Sequence, residues 1–235
     1  MQKNVKQLVT DLLRLQEKYQ FTRRIMMTRE RFEVVTESSQ EAGLDIHDER
    51  LKEPLIEHVG HLPILATHLH EHIEHASRVN LGRSLTMLAI HDIGETELGD
   101  VFAYTKSDQQ EADEIQKARE LLSPALVLYF EEYELSESFD AKYARAVDAL
   151  APLLQTIELV GYMHTRLLKH GGSIEKIVLK KRHLFVWDLV LLEIFDLCLQ
   201  QAVAYEAGKE FPFPVVLNDL RVENKKLSNM SVIYG

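Results

Sequence analysis

Apolar side chains recur at three- and four-residue spacing along most of this chain. Leu8, Leu12, Leu15 and Tyr19 form one such stripe, and Leu85, Leu88 and Ala89 belong to another. That period is helical, because successive helix residues rotate by about 100°. Two-residue alternation, the mark of half-buried strands, is almost absent, as are glycine-rich phosphate loops and internal repeats. The spacing therefore predicts an all-α architecture, with short loops between antiparallel neighbours. A chain of 235 residues can fill one helical core, so residues 1–235 read as a single domain.

Breaks in the period place the helices. An amphipathic N-terminal helix is followed by a second over residues 24–39, and Gly43 marks a loop. Glu53-Pro54 opens a long helix running towards Ser77, since proline fits a first turn. Asn80-Leu81-Gly82 makes a turn, and the next helix leads into His91-Asp92, after which Gly94 and Gly99 loosen the chain. Residues 109–122 are rich in helix formers, and Ser123-Pro124 pairs a capping residue with a first-turn proline. Ser138 is placed to cap a helix over 142–169, which Gly171-Gly172-Ser173 ends. A last helix over 184–205 is apolar around much of its circumference, so it is expected to be buried on several sides, as the central core helix or against a second subunit. The tail from Phe211, with Pro212 and Pro214, reads as an irregular arm.

The formal net charge of -10 argues against a nucleic-acid polymer or an acidic membrane surface as partner, since both demand a basic field. One cysteine, Cys198, rules out an intrachain disulfide and a cysteine-rich zinc site. The apolar run at Leu189 is broken by Glu193 and Asp196, too soon for a bilayer span. The N-terminal stretch has no apolar core of signal-peptide type. The cytoplasm is the expected compartment.

Chemistry concentrates around the adjacent pair His91 and Asp92, with His58 upstream and Asp148 downstream. Burying such groups against an apolar helix costs on the order of several kcal/mol unless they are paired or bind a metal. Four N/O donors suit a Zn, Mn, Fe, Co or Mg ion and leave coordination positions for water and substrate. Glu95 and Asp100 follow three and eight positions after Asp92, each behind a glycine. A carboxylate beside a metal site is a usual acid/base arrangement. Taken singly, His91 also fits a histidine satisfied by a local carboxylate, and Asp148 fits an ion pair with Arg145 or with a cation on another helix.

In order and spacing these residues resemble the HD superfamily of metal-dependent phosphohydrolases, whose ligands follow the pattern H…HD…D on separate helices. The resemblance is to the branch of 5'-deoxynucleotidase-like proteins and covers residues 50–155. Its central motif, HD-x-x-E-x-x-x-GD, is matched at every fixed position from His91 to Asp100. The first motif, E-x-V-x-E/D-H, is matched loosely by Glu53 to His58, with Leu55-Ile56 where a small residue is usual. The last ligand sits in a helical phrase like Val147-Asp148-Ala149-Leu150.

The resemblance implies an HD-type helical bundle, with N-terminal helices (1–45) and C-terminal helices (170–235) packed around the motif-bearing core. His58, His91, Asp92 and Asp148 would bind one divalent ion per chain (Mn, Co, Zn, Fe or Mg). Glu95 would orient or activate the attacking water, and Asp100 would position water or a sugar. Arg50 is the nearest counterpart of an arginine that holds phosphate in that branch, while the only tryptophan, Trp187, lies far from that segment. The implied activity is hydrolysis of a small phosphate monoester by metal-activated water, with a (deoxy)nucleoside 5'-monophosphate as substrate. An HD phosphodiesterase, a nucleotide triphosphohydrolase or a non-catalytic metal-binding regulatory module would share the same residues. Proteins of this branch are often dimers, which implies a homodimer here, with helix 184–205 or its neighbours in the seam.

Two clusters remain. His61, His68, His70, His72 and His75 crowd the helix that carries His58, and His61 is a rival first ligand. Lys180-Lys181-Arg182 is the one basic run, expected to cap a helix start or to make a subunit contact.

Overall fold

The computed structural model describes residues 5–24, 52–158 and 171–206. Those residues are helical, without a strand; one isolated antiparallel bridge joins Arg23 and Pro54. In chain order the helices are α1 (Val5–Phe21), α2 (Leu55–His70), α3 (Leu81–Ile90), α4 (Glu95–Leu98), α5 (Asp108–Leu121), α6 (Pro124–Leu135), α7 (Phe139–Glu158), α8 (Ile174–Lys181) and α9 (Leu189–Glu206). Single 3₁₀ turns occupy Ala76–Arg78 and Arg182–Leu184.

The all-α expectation is met, but the central helix is α7 rather than the last one. Ala141, Ala144, Val147 and Ala151 repeat at three- and four-residue spacing and are fully buried. Their small side chains let α2, α3, α6 and α9 all pack against α7. Tyr143 fills the space left over and donates its hydroxyl hydrogen to the Ala66 carbonyl of α2. The stretch 184–205 is not one helix. Asp188 accepts from the backbone N–H groups of Val190 (3.1 Å) and Leu191 (3.2 Å), which caps α9 and starts it at Leu189. Leu191 and Phe195 of α9 are fully buried, whereas Leu189 is 63% and Val203 51% exposed, so α9 buries one face rather than its whole circumference.

Other boundaries shift for local reasons. Pro54 precedes α2 in extended conformation instead of sitting inside its first turn. α2 ends at His70, short of Ser77. Ser138 does cap, accepting from the Ala141 N–H at 3.1 Å, but this starts α7 at Phe139, ahead of residue 142. Ser107 and Gln110 form a reciprocal capping box that opens α5. A second apolar cluster of Tyr19, Leu55, Val59, Ile90 and Phe130 seats the end of α1 on the bundle. Of the N-terminal stripe, Tyr19 is buried while Leu12 and Leu15 are exposed. The second helix expected over 24–39, the loop at Gly43, Arg50 and the tail from Phe211 lie outside the described residues, as does the part of helix 142–169 beyond Glu158. Among the described residues no helix is long and apolar enough to cross a membrane.

Candidate metal centre

Three helices deliver the polar cluster to one point. α2 buries His58 on its inward face. α3 ends at Ile90, so His91 occupies its C-cap and Asp92 follows in the turn. Asp148 projects from the middle of α7. The His58 and His91 rings stand 5.8 Å apart. Oδ1 of Asp148 lies 3.2 Å from His58 Nε2 and 3.3 Å from His91 Nε2. Asp92 brings Oδ1 to 3.1 Å from His91 Nε2 and Oδ2 to 3.7 Å from His58 Nε2. Ligand atoms of His58, His91 and Asp92 all lie within 4.8 Å of one another.

The outer atoms are held in turn. His91 Nδ1 donates to the Leu88 carbonyl at 2.9 Å, which turns the Nε2 lone pair to the centre. His58 Nδ1 lies 4.0 Å from Glu53 Oε2, beyond hydrogen-bond distance. Tyr133 of α6 donates to Asp148 Oδ2 at 3.1 Å. Such partners fix ring orientation and tautomer in metal sites.

Glu95, the first residue of α4, stands beside this cluster and is buried. Its Oε2 has no hydrogen-bond partner among the described residues and lies 3.8 Å from Arg24 Nη1. Arg24 also pairs with Asp92 Oδ2. The turn is held in place by close approach: a Cβ on Gly94 would meet the Glu114 carbonyl oxygen of α5 at 2.4 Å. Gly94 therefore tightens the site rather than loosening the chain. Gly99, with φ of 78°, takes the left-handed bend that brings Asp100 back to the cavity.

Electrostatics show which charges the cluster must balance. Burial pushes the Glu95 carboxyl well above its ordinary pKa, and the neighbouring Asp92 and Asp100 charges push the same way. Burial disfavours charge on His91, yet Asp92 and Asp148 together outweigh it and hold the ring well above its ordinary value. Burial, with Arg24 adding to it, keeps His58 below its ordinary value. Burial works against ionisation of Asp92 and Asp148, but His91 opposes it at both, so both carboxyls stay below the usual range. A divalent cation fits this donor set: two imidazole nitrogens and two ionised carboxylates converge, and a buried carboxylate oxygen with no hydrogen bond to a described residue lies alongside.

His91, Asp92, Glu95 and Asp148 floor a polar cavity of about 440 Å³, bordered also by Asp100, Lys106, Arg145 and Lys181. A smaller alcove of about 110 Å³ opens beside it, walled by Phe102, Tyr104, Pro152 and Leu153. Arg24, Asp100, Asp148 and Lys181 border both.

Of the residues singled out from sequence, His58, His91, Asp92, Asp148, Glu95 and Asp100 come together, while Arg50 lies outside the described residues. His61 is exposed and no rival ligand. His75 is occupied elsewhere, 3.2 Å from Asp188. Asp148 does not pair with Arg145, which instead lies 3.7 Å from Glu134. The basic run neither caps a helix start nor stands apart from the site: it ends α8, and Lys181 faces the cavity. Arg24, Tyr133 and Lys181 were missed. Basic side chains at 23–24 and 180–182 were visible as composition, but nothing local places them beside residues so distant in sequence.

Comparison with known proteins agrees with this geometry. A family model described as HD domain matches residues 43–170. A crystal structure of a predicted metal-dependent phosphohydrolase from Magnetospirillum magnetotacticum MS-1 is similar, with a TM-score of 0.52 and 24% identity over 85% of this chain and 97% of that one. At that identity the likeness is one of fold. No curated protein sequence matches significantly.

Proposed function

This chain belongs to the HD domain family, and from that premise we propose that it is a metal-dependent phosphohydrolase acting on a small phosphate monoester, a (deoxy)nucleoside 5'-monophosphate being the substrate that fits best. The observation that carries the reading is the convergence of His58, His91, Asp92 and Asp148 at the floor of a polar cavity, with Glu95 buried beside them. The solved relative's description as a predicted metal-dependent phosphohydrolase points the same way.

His58, His91, Asp92 and Asp148 would hold one divalent ion. Such an ion polarises a phosphoryl oxygen and makes water a competent nucleophile near neutral pH. Glu95 would accept a proton from water at Oε2, the oxygen without a hydrogen bond to a described residue. Asp100, which borders both cavities, positions water or the sugar. Arg24, whose guanidinium lies between Asp92 and Glu95 at the cavity wall, is a second candidate beside Arg50 for holding phosphate. The alcove walled by Phe102 and Tyr104 offers a flat apolar surface for a leaving group with a ring, which supports a nucleoside. Exposed Leu189 and Val203 on α9 support a homodimer.

The test is a screen of phosphate esters against protein supplied with Mn, Co or Mg, and against protein treated with chelator. The panel holds nucleoside monophosphates, a phosphodiester and a nucleoside triphosphate. Metal-dependent release of phosphate from monophosphates is expected. Cleavage of only the diester or triphosphate would replace the substrate class. Silence across the panel with every metal would leave a metal-binding regulatory module.

A further inference from the structure

Lys181 is the last residue of α8 and lies beyond the segment matched by the family model, which ends at residue 170. Its two neighbours are occupied. Lys180 donates to the Ala103 carbonyl at 2.7 Å, and Arg182 pairs with Asp196 at 2.9 Å. The other cationic side chains bordering the polar cavity are also matched: Arg24 by Asp92, Lys106 by Glu114 and Arg145 by Glu134. Among the lysines and arginines that border the cavity, Lys181 alone has no ion pair or hydrogen bond to a described residue.

Its position is specific. Lys181 borders both the polar cavity and the apolar alcove, with Asp148 on the same shared rim. Burial draws its pKa below the ordinary value, opposed by Asp148 and reinforced by Arg145 and Arg24. A half-buried ammonium with three donor hydrogens and no acceptor among the described residues is incompletely satisfied there, and a phosphate oxygen would supply an acceptor. Charge balance points the same way. Asp92 and Asp148 would offset a divalent ion and Glu95 lies 3.8 Å from Arg24, so a dianionic phosphate entering here meets in Lys181 a positive charge that no described carboxylate pairs.

From this we infer that Lys181 is a substrate-binding residue, contacting the phosphate where the two cavities meet and steering the esterified group into the alcove of Phe102, Tyr104, Pro152 and Leu153. The inference rests on the phosphohydrolase reading and adds a preference: dianionic monoesters over diesters, which carry one charge less at the same phosphorus.

The experiment is titration of inorganic phosphate into manganese-loaded protein, followed by calorimetry, for wild type, Lys181→Met and Lys181→Arg. Manganese affinity and thermal melting are measured on all three. Removing a charge-assisted contact is expected to weaken phosphate binding about tenfold or more in Lys181→Met, while Lys181→Arg stays within about threefold of wild type. Metal affinity should not change, and KM for a monophosphate should rise more than kcat falls. Wild-type phosphate affinity in Lys181→Met would overturn the inference, as would loss of manganese from that variant or equal weakening in both variants. If wild type binds phosphate through Lys181 but cleaves no ester, this inference stands and the turnover reading falls. If wild type binds no phosphate yet releases it from monophosphates, this inference falls and the turnover reading stands.

Discussion

Tyr133 donates to Oδ2 of Asp148 at 3.1 Å, which leaves Oδ1 of that carboxylate facing His58 and His91. Tyr133 is buried, and its ring also packs 5.3 Å from that of His91. One side chain on α6 thus sets the orientation of two donors carried by other helices. Tyr133→Phe removes the hydrogen bond and keeps the ring. Metal affinity is expected to fall about 10–100-fold, the usual effect of losing an outer-shell partner, with melting of the metal-free protein little changed. Titration with a metal buffer checks this, and unchanged affinity would show that Asp148 needs no such support.

Glu95→Gln keeps the shape of the side chain and removes the proton acceptor. Turnover is expected to drop by about 10²–10⁴, the range for a positioned acid/base group, while the ion stays bound. Measuring kcat alongside metal content separates the two effects. A variant that turns over at the wild-type rate assigns the proton to another group.

Gly94→Ala places a methyl group against the Glu114 backbone, at a distance of 2.4 Å where no Cβ can sit. The turn carrying Asp92 and Glu95 must then move away from α5. A loss of about 1–3 kcal/mol is expected for overpacking of this kind, visible as a lower midpoint in urea, together with weaker metal binding. Wild-type stability would mean that α5 yields freely at this contact.

Burial pushes the Cys198 thiol and the Tyr104 phenol up, each to about 12. Both folded-state values exceed the unfolded ones, so their contribution to stability is complete at neutral pH and is lost as pH climbs through the alkaline range towards those values. The melting temperature should therefore fall between pH 9 and pH 11, ends chosen at roughly the ordinary thiol and phenol pKa values and above. Cys198 should resist a thiol reagent at neutral pH until denaturant is added. Rapid labelling of the folded protein would contradict the burial of Cys198 in the α7–α9 core.

Much of this is legible in the sequence. The helical period gave the fold class, and the fixed spacing of His91, Asp92, Glu95 and Asp100 gave the centre of the site, because these residues share one turn and its flanks. Spacing failed where helix ends depend on a cap. Asp188 starts α9 by accepting backbone N–H groups, and the apolar run before it masks that break. It failed again for burial: the central helix α7 is built on alanines, whose weak apolar signal hides how closely other helices approach, while the more apolar α9 buries a single face. Arg24, Tyr133 and Lys181 join the site through tertiary packing alone. Among six histidines near the start of α2 and beyond it, burial singles out His58 because the others lie on exposed or half-buried faces.

The central claim is that His58, His91, Asp92 and Asp148 hold one divalent ion, and elemental analysis of purified wild type and Asp92→Ala tests it most directly. The expected result is close to one Mn, Co, Zn, Fe or Mg per wild-type chain, with anomalous scattering placing it among these four side chains, and loss of that ion from Asp92→Ala. Full metal occupancy in Asp92→Ala would contradict the account.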